Sequence, residues 1–241
     1  MASWPNIFRS DAPVNDANAP LNSRQGWLAR LGLAYQPRTR PQCRTVVQRT
    51  EQLGPLTVQK PFYPEGDLCH TYVLHPPGGI VGGDSVELTA SVAPGAAALL
   101  TTPAATKVYR SAGPESVVTQ SFKVSAGGSL EWLPADTILF GSSRHCMETQ
   151  VDLATGASYC GWEVISLGRP ASGDPYASGE MNARLKITVG GYPLLIEAQS
   201  WDSAAAADWQ LGGARAYGTM QLFPADTDLL EKARADLPVG Y

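Results

Sequence analysis

Apolar and polar residues alternate along much of this chain, a pattern typical of half-buried β-strands. Between residues 85 and 92 the apolar side chains are Val86, Leu88, Ala90 and Val92, and polar residues separate them. A period of two places one set of side chains on a core and the other toward water or a polar interior. We therefore predict a strand here whose even-numbered residues are buried.

Other segments carry the same alternation, or short apolar runs bounded by glycine and proline. We predict further strands within residues 26–35, 43–63, 96–110, 116–140, 183–201 and 213–223. Two hairpins are expected among them, one turning at Leu53-Gly54-Pro55 and one at Gly190-Gly191. No repeat of fixed period is visible.

The clearest helix pattern comes late in the chain. Asp226 or Asp228 can cap the segment "DTDLLEKARADL", whose leucines form an apolar stripe. We therefore expect a mainly β protein, a single elongated domain of many short strands in stacked or sandwiched, β-helix-like sheets, with one or two short helices. Its expected parts are a flexible leader over residues 1–25, a β-rich domain over 26–225 and a C-terminal helix over 226–241.

Composition supports this fold class and narrows the function. With 24 Gly and 19 Pro in 241 residues, the chain is interrupted too often for long helices. A net charge of −4 argues against a nucleic-acid partner. No apolar run approaches the ~20 residues of a membrane span, and no secretory signal pattern opens the chain. We therefore expect a cytoplasmic protein with reduced thiols and no membrane partner.

The glycine-rich stretch "LHPPGGIVGGDSVEL" at residues 74–88 raises the question of a phosphate site. Gly78 and Gly83 have the spacing of a P-loop, but Asp84 stands where a lysine would neutralise the phosphate. No βαβ unit follows either, so the dinucleotide fingerprint is absent. The sequence therefore excludes phosphate binding of this kind.

Histidines and cysteines raise the question of a metal site. Cys69-His70 and His145-Cys146 are adjacent pairs, and His75 precedes the glycines. Because neighbours on a strand point to opposite faces, each pair can supply only one ligand to one site. A metal-dependent hydrolase that uses His75 and Asp84 with one of these pairs is one alternative. A plain β-rich interaction module is another.

Carboxylates, hydroxyls and basic residues also lie in or beside the apolar strand segments. They are Asp84, Thr101, Thr102, Lys107, Tyr109, Arg110, Glu131, Asp136 and Glu163. Such residues form either the solvated face of half-buried strands or the lining of a wet interior. Composition alone favours the solvated face.

Four segments resemble, in order, the signature blocks of the UreD urease accessory protein family, called UreH in some bacteria. They read "GPLTVQKPFYPEG…CHTYVLHPPGGIVGGDSVEL", "TTPAATKVYRS", "LEWLPADTILF" and "ISLGRPASGDPYASG". The first two contain HPPGG-x-x-GGD and TTPAATK-x-YRS, which are long and specific. The resemblance covers roughly residues 26–225, and family members commonly run on past the point where this sequence ends.

The resemblance implies a non-enzymatic maturation factor without a tightly bound cofactor. Members of this family bind apo-urease and, with UreF and the GTPase UreG, help build the two-nickel centre of urease. UreG reaches them through the UreD–UreF complex. A water-filled internal passage has been proposed to lead nickel toward urease, so transient nickel is the expected ligand.

The same resemblance turns six polar residues into candidates for nickel passage or partner binding: Asp84, Thr101, Thr102, Glu131, Asp136 and Glu163. Asp84 and Glu131 are the candidate transient metal ligands, because oxygen donors grip nickel loosely whereas a cluster of His and Cys would trap it. Lys107 and Arg110 are expected to balance buried carboxylates, since an unpaired buried charge is costly. The residues expected to shape the turn that presents Asp84 are Gly78, Gly79, Gly82 and Gly83.

Overall fold

A computed structural model describes residues 26–38, 43–202 and 211–236, and all structural statements below refer to these residues. Strands dominate them and form two sheets. In spatial order, the seven-stranded sheet contains β14 (Tyr192–Trp201), β13 (Glu180–Val189), β11 (Arg144–Leu153), β8 (Ser116–Val124), β5 (Ser85–Val92), β1 (Leu28–Arg38) and β2 (Arg44–Leu53). The eight-stranded sheet contains β3 (Thr57–Val58), β4 (Cys69–Leu74), β6 (Ala97–Thr101), β9 (Ser129–Trp132), β12 (Ser158–Leu167), β10 (Thr137–Leu139) and β7 (Thr106–Val108), with β15 (Ala216–Phe223) on β12.

The chain winds between the two sheets, so that successive coils stack on one another. β5, β8, β11 and β13 pair in parallel in one sheet, and β4, β6, β9 and β12 pair in parallel in the other. Parallel neighbours need a crossover connection, and here strands of the opposite sheet supply it. The arrangement is β-solenoid-like, which confirms the predicted mainly β, stacked fold.

Three returns from the seven-stranded to the eight-stranded sheet, after β5, β8 and β11, are tight corners. The corner glycines, with φ between 71° and 82°, are Gly95, Gly127 and Gly156. Residues with a side chain rarely adopt this left-handed conformation. The amide of Ser125 donates to the carbonyl of Val92, and that of Ala154 to the carbonyl of Val124, both at 2.9 Å. The corners therefore stack in register, and we call this side of the molecule the glycine corners.

The strand predicted over residues 85–92 is confirmed as β5, with its even-numbered residues buried. The hairpin at Gly190-Gly191 is also confirmed: β13 and β14 pair antiparallel, and the two glycines have φ of 57° and 85°. The hairpin predicted at Leu53-Gly54-Pro55 is wrong, because β2 pairs with β1 and β3 pairs with β4 in the other sheet. Leu56, which follows the turn, is buried in the core and carries the chain across to that sheet.

One α-helix, α1 (Thr227–Asp236), follows the last strand of the described residues. The side chain of Asp226 accepts a hydrogen bond from the amide of Leu229 at 2.8 Å, which caps the helix start. Leu229 and Leu230 are exposed rather than packed on the core. None of the described helices is long and apolar enough to cross a membrane.

Candidate functional site

A cavity of about 500 Å³ lies between the two sheets. None of the glycine-corner residues lines it. One wall is formed by inward-facing residues of β5, β8 and β11, and the other by β9, β12 and the loops around residues 75–80 and 102–107. Its size falls within the roughly 300–1,000 Å³ of typical small-molecule sites. The cavity is therefore the main candidate site of the described residues.

The wall on β11 follows from the strand period. His145, Met147 and Thr149 alternate along β11, so their side chains share the inner face. In the β8 register, Thr149 lies opposite Gln120, and its hydroxyl donates to the Gln120 amide oxygen at 3.3 Å. Polar groups thus stand beside Met147 in a wall that is otherwise mostly apolar.

Aromatic side chains and one carboxylate dominate the opposite wall. Trp132 and Tyr159 are buried, and Glu163 of β12 lines the same space. Burial first, and the nearby Glu197 carboxylate second, raise the pKa of Glu163 to about 7. Glu163 also borders a second cavity, of about 10 Å³, between β13–β14 and β12–β15. Its carboxyl group is therefore the acidic group of the larger cavity and can hold or release a proton near neutral pH.

Asp84 does not line the cavity. It is buried, and its two carboxylate oxygens accept hydrogen bonds from the backbone amides of Trp27 and Val81, at 2.8 and 2.9 Å. The carboxylate therefore ties the start of β1 to the glycine-rich turn. Burial lowers the pKa of His75, and Asp84 partly offsets this effect.

The two adjacent threonines have different surroundings. Thr102 lines the cavity and accepts a hydrogen bond from the amide of Ala135 at 2.9 Å. Thr101 does not line it, and its hydroxyl donates to the carbonyl of Leu133 at 2.6 Å. Both side chains fasten the end of β6 to the segment that follows β9.

The remaining predicted carboxylates lie outside the cavity wall. Asp136 accepts a hydrogen bond from the hydroxyl of Ser166 at 3.3 Å. Glu131 is partly buried on β9 beside Cys160, where burial first and this carboxylate second raise the pKa of the Cys160 thiol. The structure thus brings Thr102 and Glu163 to one cavity and places Asp84, Glu131 and Asp136 elsewhere.

Some of the predicted basic residues and glycines line the cavity, and others do not. Lys107 lines the cavity and Arg110 does not, and neither forms an ion pair with a carboxylate among the described residues. Gly78 and Gly79 line the cavity, whereas Gly82 and Gly83 do not. A side chain at Gly79 would collide with the ring of Tyr109. Close packing at Gly79 therefore shapes the cavity edge.

The described histidines and cysteines do not cluster into a metal site. Within the part of the chain that the structure describes, no three His, Cys, Asp or Glu residues lie close enough together to hold a metal ion. Cys69 contacts the hydroxyl of Tyr63 at 3.8 Å, and His70 lies 3.6 Å from Glu65. The ligand set of the metal-dependent hydrolase is therefore not assembled here.

Several cavity residues were not singled out from the sequence. They are Gln120, Trp132, Met147, Thr149, Tyr159 and Gln221. The alternation of residues 145, 147 and 149 is a signal that they share a face. Which strands lie beside that face depends on the sheet order, which the alternation does not contain.

The fold and the cavity define a β-solenoid-like protein that encloses a mostly apolar space with a few polar groups. The family model described as UreD urease accessory protein matches residues 28–239. Three relatives carry the name "Urease accessory protein UreD". The protein of Alkalilimnicola ehrlichii is 42% identical over 217 residues, that of Aliivibrio fischeri strain ES114 43% over 215, and that of Klebsiella aerogenes 38% over 223.

These alignments cover most of each sequence. They span 89%, 88% and 90% of this chain, and 73%, 74% and 79% of the three relatives. The chain belongs to the UreD urease accessory protein family, and its role is that of a urease accessory protein.

Proposed function

We propose that this protein is a non-catalytic, cytoplasmic scaffold that helps deliver nickel to urease. In this proposal it binds apo-urease together with UreF, and UreG joins through that complex. Nickel is a transient passenger rather than a bound cofactor. The observation that carries the proposal is the cavity between the sheets, with Glu163 in its wall, in a chain of the UreD family.

The chemistry of the cavity suits an ion that must leave again. Glu163 and Thr102 offer oxygen donors on a wall that is mostly apolar. Oxygen ligands hold first-row divalent ions less tightly than thiolates do. The pKa of Glu163 near 7, raised by burial and then by Glu197, lets a proton and a cation compete for the same carboxylate. A grip of this kind is weak enough for release.

The other candidate residues serve the proposal indirectly. Asp84 and Thr101 hold backbone segments that border the cavity, through the hydrogen bonds described above. Lys107, exposed at the cavity rim, is placed to repel a cation or to pair with a partner's carboxylate. Glu131, Asp136 and Arg110 lie outside the cavity, so we assign them to partner binding rather than to passage.

Co-expression with apo-urease, UreE, UreF, UreG and nickel tests the proposal. Glu163→Gln keeps the shape of the side chain and removes its charge, so we expect several-fold less nickel and activity in the purified urease. The matched control is Glu148→Gln, because Glu148 is exposed on the outer face of β11 and pairs with Arg184 at 3.1 Å. Equal urease activity with and without this chain would exclude the role, and a silent Glu163→Gln would exclude the cavity route.

A further inference from the structure

His145 has an unusual position in the cavity wall. It is fully buried on the inner face of β11 and is one of the residues that line the cavity. Its Nδ1 lies 2.8 Å from the hydroxyl of Ser116, the residue opposite it on β8. Its Nε2 is buried and has no hydrogen-bond partner among the described residues. Buried polar atoms are nearly always paired, so an unpaired one calls for an explanation.

The hydrogen bonds around Ser116 indicate which ring nitrogen of His145 carries the proton. The Ser116 hydroxyl donates to the carbonyl of Arg144 at 3.1 Å, and a hydroxyl has only one proton to give. With that proton given to Arg144, Nδ1 of His145 carries its own proton and donates to Ser116, and this is the tautomer that we infer. Burial lowers the pKa of His145 to about 4, so the ring is neutral at pH 7. Nε2 is left with a free lone pair.

A free lone pair on a neutral imidazole can coordinate a metal ion. Histidine binds metals through one nitrogen, while the other donates a hydrogen bond that orients the ring. Here Ser116 is the acceptor of that orienting bond. Imidazole nitrogen favours nickel and its neighbours over magnesium, calcium and manganese. An oxygen-lined space alone would not make that distinction.

The surroundings keep the site from becoming a trap. His75 is the other described histidine in the cavity wall, and Cys69, Cys146 and Cys160 do not line it. Cys146 follows His145 directly, so its side chain points to the opposite face of β11. One or two nitrogen donors without a thiolate favour transition-metal ions but bind them weakly enough for release.

We propose that Nε2 of His145 is a nickel ligand inside the cavity and makes the cavity selective for transition-metal ions over magnesium and calcium. The identity of the ion rests on the proposed function, whereas the donor and its orientation come from the geometry of His145 and Ser116. Water and the oxygen groups of the cavity complete the coordination. Ser116 is a positioning residue, because it acts through the ring.

Nitrogen NMR of the full wild-type chain, labelled with ¹⁵N-histidine, tests the proposal, and a variant is needed only to assign the signals. The chain has three histidines, so each ring can be assigned, His145 by its loss in His145→Asn. We expect His145 to be protonated at Nδ1. Its Nε2 signal should shift with Zn²⁺ and broaden with Ni²⁺, and excess Mg²⁺ or Ca²⁺ should leave it unchanged. A proton on Nε2, no response to Ni²⁺, or an equal response to Mg²⁺ would each overturn the proposal.

Affinity measurements with Ni²⁺ and Mg²⁺ sharpen the result. His145→Asn retains an N–H near Ser116 and lacks Nε2, so nickel affinity should fall at least about tenfold while magnesium affinity stays constant. Ser116→Ala keeps Nε2 and loses the orienting bond, and should weaken nickel binding by roughly tenfold. Cys146→Ser is the matched control on the opposite face and should change neither affinity. Unchanged nickel affinity in both His145→Asn and Ser116→Ala would contradict the proposal, and Ser116→Ala decides alone if His145→Asn does not fold.

The co-expression assay separates this inference from the proposed function. If Glu163→Gln lowers the nickel content of urease and His145→Asn does not, the role of His145 is wrong and the delivery role stands. If urease matures equally well without this chain, the delivery role is wrong. The NMR response of His145 to Ni²⁺ then still decides whether the cavity binds the ion.

Discussion

The two ends of the space between the sheets differ sharply. At the glycine corners the space is filled by large aliphatic and aromatic side chains. The fully or almost fully buried ones include Tyr35, Phe122, Leu130 and Leu153. At the other end the same sheets stand around the cavity. The closed end supplies packing, and the open end supplies polar groups.

Single strands carry both kinds of surface. On β11, Val151 and Leu153 face the closed end, whereas His145 and Thr149 face the cavity two and more residues earlier on the same inner face. The alternation of apolar and polar residues thus separates inside from outside. It does not separate core residues from cavity residues, because both kinds lie on the inner face of the same strand, at different positions along its length.

The largest effect expected from this comparison is at the closed end. Phe122→Ala removes a fully buried ring that packs against Trp132, with ring centres 5.5 Å apart, and should cost about 3–5 kcal/mol of unfolding free energy. Val118→Ala, on the same strand but beside the cavity, should cost about 1 kcal/mol. Urea unfolding of both variants measures the difference. Equal losses would mean that the two ends are equally packed.

A second difference concerns pH at the open end. Burial, and then Glu197, raise the pKa of Glu163 to about 7 in the folded chain, from an ordinary value of 4.5. The folded state thus holds the Glu163 proton more tightly than the unfolded state does. The stability from this proton is complete below pH 4.5 and is lost as the pH rises through about 7.

Glu163→Gln removes this titration. Between pH 5 and pH 8 the wild-type chain should therefore lose on the order of 2 to 3 kcal/mol more unfolding free energy than the variant. Unfolding curves at a series of pH values give the comparison, with the exposed Glu148→Gln as control. Parallel pH profiles for wild type and Glu163→Gln would show that Glu163 is not shielded from water.

The smallest of the three expected differences is at a corner. A Cβ atom at Gly156 would meet no atom within 4 Å, so the φ of 82° alone should penalise Gly156→Ala, by about 1–2 kcal/mol. Gly113→Ala is the control, because a Cβ there also meets no atom and the backbone is not left-handed. Thermal unfolding should show a lower midpoint for the first variant only. A midpoint drop of the same size for Gly113→Ala would remove the backbone explanation.

Local patterns in the sequence predicted much of the fold. The β5 strand and the Gly190-Gly191 hairpin depend on neighbours in sequence, and both were found. The sequence did not reveal the repeat of the coils. The residues that lie opposite one another in neighbouring coils, Val92, Val124, Leu153 and Val189, are unevenly spaced along the chain. Connections of different length between the strands hide the repeat.

The candidate site was less accessible to sequence reasoning. Glu163 and Thr102 were named through the family resemblance, and the structure places both in the cavity wall. Gln120 and Thr149 were missed, since their meeting depends on the pairing of β8 with β11. Asp84 was a candidate ligand through the same resemblance, but both of its carboxylate oxygens accept hydrogen bonds from backbone amides. A carboxylate's sequence context does not reveal what it already binds.

The stacked corners offer a place to attach a reporter. Gly95 and Gly156 face open space on the side of the molecule that does not line the cavity. A short fluorescent peptide tag inserted beside either glycine would project outward, away from the cavity. Such a label would let ligand binding be followed by fluorescence while the cavity walls keep their native residues.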